Sequence, residues 1–346
     1  VEDKIKIVNW FLTRKCNFKC SYCGIIRERK GVYPSMEYFY NNEVPSNIII
    51  STLSKIKKHN SKCFHIFYGG EPLLREDLSE IIKFCNENDI YYTIISNCFY
   101  KFVLYDLLDK VGYIRGFTAS IDKYIKNDDE YFGSYEENKS FHGLETLINL
   151  PNIKDRVAEI TITPRTDLEN ICELIEVLSA NEIYSDITFV DIAKNTYYDF
   201  SNVRDKWELV YKNKDLQNFF SFLKDKKYIH MKDILLPVMW DSLPSNFDCM
   251  LSKKLHNISI DADGAIRLCS RIRGIHAPSK FNVSNFIDDE GNISKGLHIA
   301  MIKDKGMVCE LCNHTCQMMS YFDSENDLLH TVVKKITHST DLFQSA

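Results

Sequence analysis

Residues 4–23 read KIKIVNWFLTRKCNFKCSYC, and this stretch decides the fold. The nearly continuous apolar run up to Thr13 is the habit of a strand buried on both faces in a parallel sheet. Directly behind it, Cys16, Cys20 and Cys23 form C-x-x-x-C-x-x-C in a loop that also carries Arg14, Lys15, Asn17 and Lys19. Thiolates ligate iron–sulfur clusters, and positive neighbours help keep thiols deprotonated. Three thiolates leave one iron of a cuboidal cluster without a protein ligand. A zinc knuckle is the alternative reading. Structural zinc takes four protein ligands, however, and the nearest further candidates, His59 and Cys63, lie far along the chain.

Working outward, the same strand pattern recurs. CFHIFY ends at Tyr68, YYTIIS at Ser96, IRGFTASI at Ile121, VAEITIT at Thr163 and DITFVDIA at Ala193. Between them stand stretches such as DLSEIIKFCNEN and ENICELIEVLSAN, with apolar residues at helical three- and four-residue spacing. Six strand–helix units predict an α/β fold, a partial (β/α)6 barrel of parallel strands over residues 1–200, with its chemistry at the carboxyl ends of the strands. Residues 201–248 lose the alternation and read as a linker with short helices. HNISIDADGAIRLCS, residues 256–270, then predicts a hairpin turning at Asp263-Gly264 with Cys269 on its second arm. With the helical stretch DLLHTVVKKI it makes residues 249–346 a small C-terminal β-hairpin plus helix module.

A chain of 346 residues buries its own core without covalent staples, so the 12 cysteines, gathered in close sets, suit metal better than disulfides. The net charge is −5, with 43 Lys and Arg scattered among 48 Asp and Glu, so no basic face suits a phosphate backbone and nucleic acid is not the expected partner. No apolar run reaches the roughly 20 residues that span a bilayer, and VEDKIKIVNW has no signal-peptide pattern. The expectation is a soluble, cytoplasmic protein with no membrane partner.

One unit after the cysteines comes YGGEPLL, residues 68–74. Gly69 and Gly70 let a backbone approach a ligand closely, and Glu71 accepts hydrogen bonds from an ammonium group. With these motifs in this order, residues 5 to about 195 resemble the radical SAM superfamily. The resemblance implies a 4Fe-4S cluster on Cys16, Cys20 and Cys23 whose open iron chelates S-adenosyl-L-methionine. It implies cleavage to a 5'-deoxyadenosyl radical and abstraction of a carbon-bound hydrogen, fed by an electron donor such as flavodoxin or ferredoxin. It sets Tyr22 against the adenine, gives Asn97, beside Ser96, a cofactor-side place, and lets Ser120, of the pair Ser120 and Asp122, and Thr163 contact ribose or carboxylate. Strand-end turn hydrogen bonds account for Ser120 and Thr163 equally well. Where the family commonly has glycine after the Ser-Asn pair, this chain has Cys98, a candidate hydrogen donor to a substrate radical or a buried inert thiol.

Cys249, Cys269, Cys309, Cys312 and Cys316 resemble the SPASM and Twitch modules that hold auxiliary iron–sulfur clusters. A full SPASM module needs more cysteines, so the count allows one auxiliary cluster, of the 4Fe-4S type, on Cys249, Cys269, Cys309 and Cys312. Cys316 is then a substitute ligand or a free thiol donor. A zinc site, joined by His314, uses the same layout. The substrate is expected to be a ribosomally made peptide undergoing oxidation, cross-linking or epimerisation. With the chain starting close to its first strand, no N-terminal peptide-recognition domain is expected, which weakens the peptide reading, and a small molecule, a carbohydrate or aminocyclitol, is the other enzyme reading. An iron–sulfur or zinc protein that binds a partner without radical chemistry is the reading of another class.

Overall fold

The computed structural model describes residues 4–18, 20, 23, 36–125, 135–150, 153–162, 166–189, 218–219, 221–223, 225–229, 257–267, 282–294 and 297. Its strands are β1 (Ile7–Thr13), β2 (Phe64–Gly69), β3 (Tyr91–Ser96), β4 (Ile114–Ser120), β5 (Ile153–Ile162), β6 (Tyr184–Phe189), β7 (Asn257–Ile260) and β8 (Ile266–Arg267). The helices are α1 (Met36–Asn41), α2 (Ser46–His59), α3 (Leu78–Glu87), α4 (Lys101–Val111), α5 (Tyr135–Asn149) and α6 (Leu168–Ala180), with a 3-10 turn at Pro72–Leu74.

All six expected strands form, in the order β6-β5-β4-β3-β2-β1-β7-β8 within one open sheet. β1 to β7 run parallel, and only the short β8 returns antiparallel. This is the open α/β sheet of a partial barrel. Each strand alternates its faces. Val8, Trp10, Leu12, Phe67, Tyr92, Ile94, Phe117, Ala119, Ala158 and Ile160 pack in one apolar core with Leu53, Ile56, Ile81, Leu104, Leu147 and Leu174 of the helices. The residues between them are mixed: Phe11 packs on Tyr68, while Asn9 donates to Asn257 at 2.6 Å and the Thr93 and Thr118 hydroxyls meet at 3.1 Å. A sheet so divided buries one apolar side under helices and gathers polar side chains such as Asn9, Thr93 and Thr118 on the other.

The hairpin at residues 257–267 is present, and its turn brings Gly264 to a φ of +82°, where a side chain would be strained. Its position is the finding. β7 pairs in parallel with β1, Ile7 opposite Asn257 and Trp10 opposite Ile260, so the first arm extends the main sheet. Residues 282–294 then dock on α2. Thr52 donates to the Val283 carbonyl at 3.1 Å, Lys55 pairs with Asp289 at 2.8 Å, and His59 Nδ1 lies 2.9 Å from the Gly291 carbonyl.

Candidate active site at the carboxyl ends of β1 to β4

Parallel strands deliver their exits to one edge, and the motif residues meet there. Gly70 N–H donates to the Thr13 carbonyl at 2.8 Å and Glu71 N–H to the Lys15 carbonyl at 2.7 Å, which zips the Gly-Gly-Glu turn onto the start of the cysteine loop. A Cβ at Gly69 would stand 2.3 Å from the Thr13 oxygen, and one at Gly70 would stand 2.0 Å from the Lys15 oxygen. The room left by these two glycines is filled by the chain's own backbone. They bring Glu71 to the cysteines.

Glu71 has no solvent exposure. Its carboxylate accepts from Leu73 N–H at 2.9 Å, Ser96 Oγ at 2.9 Å and Asn97 N–H at 2.7 Å. Burial pushes its pKa up to about 7, and these three neutral donors oppose the rise. The three dipoles favour the ionised form without offsetting burial, so a cation beside this carboxyl would lower its pKa again. Arg75, buried at the exit of the turn, donates to the Leu12 carbonyl at 2.7 Å and to the Val44 carbonyl at 2.5 Å. It locks this turn to the end of β1; a lone arginine after Leu74 carries no sequence signal for that.

The Asn97 amide reaches Asn17 Oδ1 at 2.9 Å and lies 3.9 Å from Cys16 Sγ. Phe18 N–H donates to the same sulfur at 3.4 Å, and Cys23 N–H donates to the Cys20 carbonyl at 3.1 Å. The Cys16 thiol is pushed up to about 12 by burial, against the Phe18 hydrogen bond, with the charges of Glu71, Cys23 and Cys20 adding. Among the described residues no three His, Cys, Asp or Glu side chains are gathered to hold a single metal ion. Three partly buried thiols in one loop, close enough to feel one another's charge and aided by N–H donors at sulfur, fit the donor set of an iron–sulfur cluster. The cation such a cluster brings is what burial and mutual repulsion withhold from the thiolates.

The positive neighbours do less than the sequence suggests. Arg14 is buried against Asp261, and Lys15 lies 3.4 Å from Glu43, so both charges are already matched. Ser120 closes β4 beside Glu159 of β5, while the Asp122 carboxylate accepts from Thr161 N–H at 3.3 Å. Cys98 is 1% exposed, at a φ of +59°, with its sulfur 3.7 Å from the Ser96 carbonyl. A left-handed backbone here is what glycine adopts most easily. Tyr22, Thr163, Cys249, Cys269, Cys309, Cys312 and Cys316 lie outside the described residues.

The sequence model of the Radical SAM superfamily matches residues 10–192, more than half of the chain. The chain belongs to the radical SAM superfamily. Members of this superfamily are enzymes, and membership implies S-adenosylmethionine and a 4Fe-4S cluster. A Methanocaldococcus jannaschii protein assigned as a glycyl-radical enzyme activating enzyme is 27% identical over 172 residues, 45% of this chain and 59% of that one. An S-adenosylmethionine-dependent nucleotide dehydratase of a Fibrobacter strain is 26% identical over 194 residues, 53% of this chain and 51% of the relative. The chain thus spans between half and three-fifths of these relatives. Among solved structures, Streptococcus suis SuiB shares the fold with a TM-score of 0.57 at 16% identity, over 91% of this chain and 72% of SuiB. Among the described residues no helix is long and apolar enough to cross a membrane.

Proposed function

We propose that this radical SAM protein holds its 4Fe-4S cluster on Cys16, Cys20 and Cys23 and abstracts a carbon-bound hydrogen from a ribosomally made peptide, leaving it oxidised, cross-linked or epimerised. The observation that carries the first half is the convergence of the cysteine loop, the Gly-Gly-Glu turn and Asn97 at one sheet edge. When bound, the reduced cluster and S-adenosylmethionine supply a 5'-deoxyadenosyl radical.

The chain's own residues prepare that site in definable ways. Cys16, Cys20 and Cys23 are the ligands. Glu71, buried and fixed by three donors, receives the ammonium of the methionine portion, whose positive charge returns the carboxyl to its ionised form. Asn97 holds the Cys16 side of the loop through Asn17 and shares its amide with the sulfur. Ser120, the last residue of β4, contacts the cofactor's ribose or carboxylate in this proposal.

The peptide half is supported by the fold shared with SuiB, solved bound to its precursor peptide SuiA, with a TM-score of 0.56 at 15% identity. An auxiliary cluster on Cys249, Cys269, Cys309 and Cys312 completes the proposal, and the β7–β8 hairpin leading to Cys269 supports it by standing at the edge of β1. The test is direct. A search of the neighbouring genes should find a short precursor peptide, and that peptide, incubated with reduced protein and S-adenosylmethionine, should lose hydrogen or take deuterium from solvent at one residue. An unchanged peptide, with turnover instead stimulated by a carbohydrate or aminocyclitol, would remove the peptide reading.

A further inference from the structure

Arg14 stands two residues before Cys16 and carries a guanidinium that is 2% exposed at the residue level. Its Nε and Nη2 donate to Asp261 Oδ1 at 2.9 and 2.8 Å, and Nη2 also donates to Oδ2 at 2.8 Å. The Phe11 and Phe39 rings lie 5.0 and 4.6 Å from the guanidinium carbon. Asp261 is equally buried and opens the hairpin turn directly after β7. There its own N–H donates to the Ala265 carbonyl at 2.9 Å, and its carbonyl accepts from Gly264 N–H at 2.8 Å. The turn is fastened further by Val44 N–H, which donates to the Ala262 carbonyl at 2.8 Å.

A buried ion pair is a poor device for stability alone, because well-packed apolar residues of similar volume often serve as well or better. What it does supply is a fixed geometry between two segments. Here the segments are 247 positions apart. The residues flanking Arg14 are already held on their other side, Thr13 by Gly70 and Lys15 by Glu71. The start of the cysteine loop is therefore gripped between the Gly-Gly-Glu turn and the C-terminal hairpin.

We infer that the Arg14–Asp261 pair makes the hairpin a positioning element of the cysteine loop, so that the docking of the C-terminal region sets both the order of the loop and the charge beside its cluster. The inference rests on the reading of Cys16, Cys20 and Cys23 as cluster ligands. Two consequences separate it from a role in general stability. Freeing the pair loosens the hairpin turn and the cysteine loop together while β3 to β6 stay firm. Removing one charge at a time moves the cluster potential in opposite directions, because net charge near a cluster sets its potential.

The test uses the full chain as Asp261→Asn, Arg14→Gln and the double variant, with Asp261→Glu as a charge-preserving substitute should Asp261→Asn fail to fold. In the metal-free protein, amide hydrogen exchange should quicken in residues 14–18 and 261–265 of either single variant, with β3 to β6 unchanged. In the reconstituted protein, Asp261→Asn should raise the midpoint potential of the cluster, Arg14→Gln should lower it, and the double variant should return toward the starting value. Exchange that quickens in the hairpin alone, or potentials that shift in the same direction in both single variants, would overturn the inference. If the unaltered protein takes up no iron, the cluster reading fails by itself, and the exchange pattern still decides whether the pair positions the loop.

Discussion

Replacing Gly70 by alanine probes the joint on which the site depends. The new Cβ would stand 2.0 Å from the Lys15 oxygen, 2.6 Å from the Lys15 carbonyl carbon and 2.9 Å from the Arg14 carbonyl carbon. All three are backbone atoms that cannot swing aside. The turn and the loop must separate by roughly 1 Å before the contact is tolerable, a shift typical of overpacking. That movement breaks the bonds from Gly70 N–H to Thr13 and from Glu71 N–H to Lys15, at 2.8 and 2.7 Å. Two hydrogen bonds at about 1 kcal/mol each, with an overpacking cost of about 1–3 kcal/mol, give a loss of roughly 3–5 kcal/mol. Urea denaturation of the metal-free protein measures it, and iron per chain after reconstitution reports whether the loop has left its place. Gly112→Ala is the comparison. It meets nothing within 4 Å but sits at φ +78° and ψ −43°, outside the left-handed region open to L-residues, so it should cost roughly 1–3 kcal/mol and leave iron binding untouched. Equal effects of the two substitutions, or full iron loading in Gly70→Ala, would refute the joint as described.

Other expectations follow from the same interior. Glu71, raised to about 7 from the usual carboxylate range, binds its proton more tightly folded than unfolded. Its contribution to stability therefore declines as pH rises through its unfolded value toward 7, by roughly 1.4 kcal/mol per pH unit, and Glu71→Gln should abolish that slope in denaturation curves. His65 runs the other way. Fully buried and accepting from the Trp10 indole at 3.0 Å, it is lowered to about 3 by burial, so acidification below about 6.5 protonates only the unfolded chain. Stability should fall there by roughly 1.4 kcal/mol per pH unit, a dependence that His65→Phe removes. Asn97→Ala forfeits the bonds to Asn17 and to Phe99 N–H and should cost about 1–3 kcal/mol by denaturation. It should also lower the cluster potential, because it takes a donor from the Cys16 sulfur.

The strands were legible because helices cover the apolar face of each, and a short apolar run bounded by turn residues stands out without its tertiary context. β1 and β3 end at Thr13 and Ser96 as read, β2 and β4 within one residue of Tyr68 and Ile121. β5 begins at Ile153 rather than Val157, because the Lys154, Asp155 and Arg156 side chains hide its first turns from an apolar pattern. The hairpin too could be read from Asp263 and Gly264, but its pairing with β1 could not, since strand partnership over some 250 residues leaves no local period. For the same reason Arg14 read as a loop cation that favours thiolates, while its partner Asp261 lay unnoticed in a turn. Gly69 and Gly70 read as places where a backbone approaches a ligand closely; the group packed against them is the backbone of Thr13 and Lys15, a partner that no local pattern names.

The decisive measurement is cofactor cleavage by the anaerobically reconstituted protein, reduced with dithionite in the presence of S-adenosylmethionine. The unaltered chain should form 5'-deoxyadenosine, and the variant in which Cys16, Cys20 and Cys23 are all alanine should form none while keeping its fold. A protein that retains its iron yet yields no 5'-deoxyadenosine, or a triple variant that still yields it, would contradict the assignment of this loop as the radical-generating site.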